Sequence, residues 1–429
     1  MNERAYVIGD LHLGAGPGDP LEDFRDDEVF ARLCARIAGP ATTLVLNGDI
    51  IDFAQIPPFD VPTPAHLLWP EAASLIKARV AVAAHPDFFA GLRALLERGG
   101  RIRWLAGNHD LDMVWPAVQR CIAEALGTPP ADRLAFVIGA TELHGVHVEH
   151  GHHFTPENCP RVPLELCHPG PDGVLYLERV WGTDFMLQFY NQLERDHPFA
   201  DNVKPMLSVV WHGLRNRWIG GRELARLFVF LRRRGLPWRG IASATLDEVR
   251  PLTAASAAGS FEDLAWKHAM LERARTDERF VGELNEAIAE LEPAEQRLAT
   301  LREPIEVDAP LVGGGGAPAA GATLGLFREE RELRAARDRL ARPGITHVVF
   351  GHTHAAVDGE LGGRLYNYGT WLPSLDLGAA HVQAKLAAEG ISLEVLRDPR
   401  LYTVVRRLVR IDADPSYASE VRLVTADAP

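Results

Sequence analysis

Residues 42–52 read TTLVLNGDIID, and this stretch decides the fold. Thr42 to Leu46 is a short apolar run without alternation, the pattern of a strand buried on both faces. It breaks at Gly48-Asp49, where glycine lets the backbone turn sharply and come close to a ligand. Two carboxylates, Asp49 and Asp52, stand in and just beyond that break.

The same order recurs outward from it. Ala5 to Gly9 runs into Asp10-Leu11-His12, and Ile102 to Leu105 into Gly107-Asn108-His109-Asp110. Val146 to Glu149 runs into His150-Gly151-His152, and Ile345 to Phe350 into Gly351-His352-Thr353-His354. Leu134 to Ile138, Arg364 to Tyr368, Ile391 to Leu396 and Leu401 to Ile411 read as further strands. Helical spacing fills the gaps: Val29, Phe30, Leu33, Cys34 and Ile37; Phe88, Phe89, Leu92, Leu95 and Leu96; Val114, Val118, Cys121 and Ile122. Gly99-Gly100 ends the second of these helices. Helices alternating with strands predict a layered α/β architecture.

The pattern turns mostly helical from about Thr155 to Gly344. Phe261, Leu264, His268 and Leu271, then Phe280, Leu284, Ile288 and Leu291, mark long amphipathic helices. Residues 313–322, GGGGAPAAGA, form a low-complexity linker that buries no core. A charged helix spans about Phe327 to Leu340. The expected organisation is one α/β domain, 1–154 with 345–429, interrupted by a helical insertion, 155–344.

The 429 residues carry 45 basic and 58 acidic side chains, a net charge of −13 that argues against coating nucleic acid by bulk charge. Four cysteines are no disulfide framework and read as reduced thiols. No signal peptide or membrane-spanning run is evident, so the expected location is the cytoplasm.

All five blocks end in carboxylate, carboxamide or imidazole donors. Such ends are where an open α/β sheet places its crevice, and such donors suit manganese, iron, nickel or zinc rather than calcium or a thiolate zinc site. The set D-x-H, G-D-x-x-D, G-N-H-D, a later H and G-H-x-H resembles the calcineurin-like metallophosphoesterases, with all five blocks in order. The resemblance covers about Arg4–Phe154 and Ile345–Ile411 and says little about the insertion.

It implies a layered β-sandwich flanked by helices and two divalent ions, manganese foremost. Asp10, His12 and His354 would bind the first ion, Asn108, His150 and His352 the second, and Asp49 would bridge them. An anionic bridge offsets the repulsion of two close cations, and a hydroxide held between them attacks phosphorus in line. His109 would lie over the phosphate and help the leaving oxygen depart, with Asp110 orienting it. Asp52 would anchor His12 or another ligand from behind, and His152 would touch phosphate or stand behind a ligand. His144, His147 and His153 read as surface or loop histidines.

The function so implied is hydrolysis of a phosphate ester or pyrophosphate in a phosphorylated small molecule or lipid. The bacterial UDP-2,3-diacylglucosamine hydrolases share D-x-H-L and also insert helices between the fourth and fifth blocks. They carry arginine at the position of His109 and a much shorter insertion. A non-catalytic scaffold on the same fold predicts eroded ligands, and here none is missing. Gly213–Arg239 holds eight arginines against Glu223 alone, beside apolar stripes from Met206 to Trp218 and Leu224 to Leu231. That surface fits an amphipathic phosphate or peripheral membrane contact, or a solvated helix face. Cys159 and Cys167, near His153 and His168, match no standard zinc spacing.

Overall fold

The computed structural model describes residues 3–64, 67–155, 157–161, 165–197, 203–204, 324–376, 379–390, 392–413 and 419–429, with isolated positions between 220 and 282. Apart from such isolated positions, the expected helices around Phe261–Leu291, both apolar stripes, the arginine-rich stretch and the 313–322 linker lie outside the described residues. By contact the chain forms two units. Met1–Pro198, Arg328–Leu375 and Pro399–Pro429 make the first; Phe199–Phe327 and Asp376–Asp398 make the second. Residues on both sides of Thr155 and of Gly344 belong to the first unit.

The strands are β1 (Arg4–Ile8), β2 (Thr42–Asn47), β3 (Leu67–Pro70), β4 (Arg101–Leu105), β5 (Leu134–Val137), β6 (Ala140–Leu143), β7 (Val146–Glu149), β8 (Cys167–Pro169), β9 (Leu175–Glu178), β10 (Val203–Lys204), β11 (His347–Phe350), β12 (Val357–Gly359), β13 (Leu365–Asn367), β14 (Leu375–Asp376), β15 (Arg407–Asp412) and β16 (Glu420–Thr425). The helices that matter to the site are α1 (Asp27–Ile37), α2 (Glu71–Ala84), α3 (Pro86–Glu97), α4 (Pro116–Ala125), α5 (Trp181–Phe185), α6 (Asn191–Asp196) and α7 (Leu324–Leu340). The fold is mixed α/β. Its largest sheet runs β16-β15-β1-β2-β4-β5, a second runs β12-β13-β11-β7-β6, and β3-β9-β8 form a small antiparallel sheet.

Strand alternation sorts the core. Ala5, Val7, Val45, Leu105, Val409 and Ile411 of the largest sheet meet Val146, Val148, Val349 and Tyr366 of the second in one buried cluster. The intervening Tyr6, Ile8, Leu44, Leu46, Ile102 and Trp104 face the other way, against Phe30 and Leu33 of α1 and Phe88 and Leu92 of α3. Ala335 and Ala336 of α7 cover Val348, Phe350 and Leu365.

Direction then places the site. Strands β1, β2 and β4 are parallel, with Ile8 beside Leu46 and Asn47 beside Leu105, so their ends carry Asp10, Asp49 and Asn108 off one edge. In the second sheet β7 and β11 are also parallel, Val148 beside Val349, and deliver His150 and His352 together.

Sequence expectations fail in places, and the strand read over Leu401 to Ile411 begins only at Arg407. Ile391 to Leu396 read as a strand, yet Leu393–Leu396 is a helical turn. The Ser392 Oγ accepts from the Val395 amide at 3.2 Å, a cap that a short apolar run with no period of its own cannot announce. His147 read as a surface histidine but is buried, 3.1 Å from Glu149 Oε1, which also accepts from Arg339 of α7 at 2.9 Å.

Candidate metal centre

The structure gathers the five blocks into one site within the first unit. One donor atom from each of Asp10, His12 and His354 lies within 4.8 Å of the others, and the same holds for Asp49, His150 and His352. Asp49 stands between the groups: its Oδ2 is 3.0 Å from His150 Nε2 and 3.9 Å from His12 Nε2. His12 Nε2 and His354 Nε2 face each other at 3.1 Å, and His354 Nε2 is 3.3 Å from Asp10 Oδ1. Asn108 is buried with its Oδ1 lacking any hydrogen-bond partner, and His150 Nε2 likewise has none in hydrogen-bond geometry. A buried acceptor left as the Asn108 oxygen is left is costly unless a ligand takes it.

Hydrogen bonds behind the donors set their tautomers. His150 Nδ1 donates to the Asn47 carbonyl at 2.8 Å, which leaves Nε2 as the nitrogen that faces Asp49. His12 Nδ1 lies 3.1 Å from Asp52 Oδ2, which turns Nε2 into the site. The Thr155 hydroxyl donates to the His152 carbonyl at 3.0 Å and lies 3.1 Å from His352 Nε2, which Asn158 Nδ2 also approaches at 3.4 Å. Such fixing is what metal-binding histidines require.

Charge is arranged accordingly. Burial raises the pKa of Asp49, but the His150, His109 and His12 imidazoles prevail and hold it well below the usual carboxylate range. Burial lowers His150, and the Asp49 and Asp10 carboxylates override it to bring the ring to about 9. His152 is buried, has neither ring nitrogen partnered, and is driven well down by burial and by His153 and His150. It is a neutral imidazole at the wall of the site.

His109 stands apart from both donor groups. Its Nδ1 lies 2.6 Å from Asp52 Oδ2, and its amide donates to Asp49 Oδ1 at 2.8 Å. Burial opposes its charge, yet Asp52 and Asp49 raise the ring to about 10, so it is an imidazolium at neutral pH. Asp52 therefore serves two rings, which also explains why His12, Asp52 and His109 cluster. Asp110 does not orient His109. Its carboxylate instead accepts from the amides of Asp49 at 3.1 Å, Ile50 at 3.0 Å and Gly107 at 2.5 Å, so it ties the second and third blocks together. The sequence expectation erred because an adjacent residue on a turning backbone points elsewhere.

Several residues behind the site gave no motif signal. The Tyr368 hydroxyl donates to the Asn47 carbonyl at 3.0 Å, and Thr370 Oγ1 to the Asp10 carbonyl at 2.7 Å. Asn158 Nδ2 donates to Thr155 Oγ1 at 3.3 Å. Two glycines are fixed by space: a Cβ at Gly107 would strike the Asp49 carboxylate, and one at Gly351 the Tyr368 hydroxyl. Cys159 and Cys167 belong to no metal-sized group among the described residues.

No protein-family model matches the chain, and no curated protein matches it. Among the described residues no helix is long and apolar enough to cross a membrane.

Proposed function

We propose that this chain is a dinuclear metal-dependent hydrolase of phosphate esters or pyrophosphates, built as the calcineurin-like metallophosphoesterases are. In this reading the two larger sheets are the layers of a sandwich, with α1 and α3 outside one and α7 outside the other. The observation that carries it is the Asp49 carboxylate held between two donor groups, one of Asp10, His12 and His354, the other of His150 and His352. The buried, unpartnered Asn108 Oδ1 would complete the second group.

Those seven residues would hold two divalent ions, with manganese the first choice and iron, zinc or nickel also suited to the donors. Bound there, the ions would supply positive charge for phosphate and a nucleophile at neutral pH. The protein's own groups do the rest. The His109 imidazolium, steadied by Asp52, donates a proton to the departing oxygen. Neutral His152 offers a hydrogen bond to a phosphate oxygen without adding charge. Asp52 keeps the lone pair of His12 Nε2 directed inward.

The test is phosphate release over mono-, di- and pyrophosphate substrates with manganese added. Turnover on any one class, lost on chelation, supports the reading. Absence of turnover on all three with each of the four metals overturns it.

A further inference from the structure

The Asp52 carboxylate is divided. Oδ2 serves His12 and His109, while Oδ1 accepts from the amides of Ala54 at 3.0 Å and Gln55 at 3.2 Å. The same loop holds His109 by its backbone, since the Phe53 amide donates to the His109 carbonyl at 3.1 Å. Whatever fixes residues 52–56 therefore fixes the orientation of His109.

Three buried polar side chains from outside the blocks do so. Lys77 of α2 donates through Nζ to the Phe53 carbonyl at 3.0 Å and to the Ile56 carbonyl. Asn191 of α6 donates through Nδ2 to the Ala54 carbonyl at 2.7 Å. Glu194, one turn further along α6, accepts from Gln55 Nε2 at 2.8 Å. Lys77 and Glu194 are fully buried and Asn191 nearly so. Burying such groups costs stability unless they are bonded, and here Lys77, Asn191 and Glu194 all bond to the same five-residue loop. Burial pushes Lys77 down to about 8 and Glu194 up to about 9, the latter with Asp23 and Asp52 adding to the rise. The cost is real and local.

We propose that Lys77, Asn191 and Glu194 are positioning residues that hold the 52–56 loop, and through Asp52 the His109 ring, in the orientation that protonates a departing oxygen. The proposal rests on the hydrolase reading above. It gives α6, in a segment where the sequence shows no motif, a part in the chemistry without touching substrate.

Asn191→Leu, Glu194→Leu and Glu194→Gln test it, with two readouts. Turnover on an alkyl phosphate should fall about tenfold in the two leucine variants, a fraction of the ~10²–10⁴-fold available to a general acid. At saturating manganese, turnover on a nitrophenyl phosphate, whose leaving group needs no proton, should change less than about twofold. Glu194→Gln keeps an acceptor for Gln55 and should restore most of the loss. In metal-free protein, the His109 Nδ1 proton resonance should move in the leucine variants and return in Glu194→Gln. An inactive wild type overturns the hydrolase reading and the proposal with it. An active wild type whose leucine variants lose both esters equally, or leave the His109 resonance in place, overturns the proposal alone. If Asn191→Leu does not fold, Asn191→Ala and the Glu194 pair carry the same test.

Discussion

Replacing Asp52 by Asn changes one atom and should produce two separable defects. The amide oxygen can still accept from Ala54 and Gln55, as Oδ1 of the aspartate does at 3.0 and 3.2 Å, so the loop keeps its anchor. The amide nitrogen then faces the Nδ1 atoms of His12 and His109, where Oδ2 stood at 3.1 and 2.6 Å. It is a donor where an acceptor was needed. Each ring relieves the clash of donors by taking the other tautomer, with its proton on Nε2. For His12 this removes the lone pair that would face the proposed first ion, and loss of such a partner typically weakens metal binding ~10–100-fold. For His109 it removes the carboxylate chiefly responsible for raising the ring to about 10, so the imidazolium is lost near neutral pH.

The second defect should cost ~10²–10⁴-fold on substrates whose leaving oxygen needs a proton, or about 3–5 kcal/mol of transition-state stabilisation. Manganese titrations separate the two. With a nitrophenyl ester, Asp52→Asn should recover most of its turnover once manganese is raised ~10–100-fold. With an alkyl ester it should stay ~10²-fold or more below wild type at any manganese concentration. His109→Ala should show only the second defect. If Asp52→Asn follows wild type on the alkyl ester at saturating manganese, Asp52 does not support a general acid and the assignment of His109 fails.

Asp49→Asn should lower bound metal and cut turnover by orders of magnitude while the circular dichroism spectrum is kept, because the His109 amide can still bond the amide oxygen; near-normal turnover at saturating manganese would exclude the bridge. Metal binding should release a proton from His150, so apparent affinity should climb about tenfold per pH unit up to about 9 and then level off; calorimetry in buffers of different protonation enthalpy reads this, and no proton release between pH 7 and 8 would refute it. His85 is buried between Glu22 and Asp27 at 3.2 and 3.0 Å, and although burial lowers its pKa these bonds raise it to about 9. A raised histidine stabilises fully below its unfolded value near 6.5 and loses that contribution as pH rises through about 9, so the metal-free protein should be stabilised over His85→Gln by about 3 kcal/mol at most at pH 6, the difference fading by pH 9 in urea titrations; a difference that does not shrink with pH would refute the linkage.

The fold was legible where one element carries one strong pattern. β1, β2, β4 and β7 are short apolar runs stopped by the ligand blocks, and α1 and α3 bury large side chains at helical spacing. It was illegible where burial uses small or polar residues. The buried face of α2 is Ala73, Ser74, Lys77, Ala78 and Ala81, which gives almost no hydrophobic period although the helix is packed. The site divides in the same way. The donors lie in fixed local spacings and could be read. Asn191, Glu194, Tyr368 and Thr370 act across 137 to 360 residues of chain, and single hydrogen bonds at such separations leave no local pattern.

Backbone conformation shows what the spacing of the blocks concealed. The glycine that opens four of the five blocks suggests that glycine makes the turn. Gly48 does, with φ of 80°, but Gly9, Gly107 and Gly351 are not left-handed. They are small because the Tyr368 hydroxyl or the Asp49 carboxylate occupies the space of their missing side chains. The left-handed residues are the donors themselves: Asp10, His12, Asp49, His352 and His354, with φ between 50° and 69°. Each such residue costs roughly 1–2 kcal/mol against its relaxed conformation. The strain is held by bonds within the site: the Leu11 and His12 amides donate to the Asp49 carbonyl at 2.9 and 3.0 Å, and the His352 amide to both Asp10 carboxylate oxygens at 3.0 Å. The Asp10 carboxylate thus holds the backbone of the fifth block, while the Asp49 carbonyl holds that of the first. Of the five strained donors, Asp10, His12, Asp49 and His352 are locked to one another by these bonds. That cluster is arranged before any ion would arrive, and its preorganisation is the physical argument for a metal centre over a merely polar pocket.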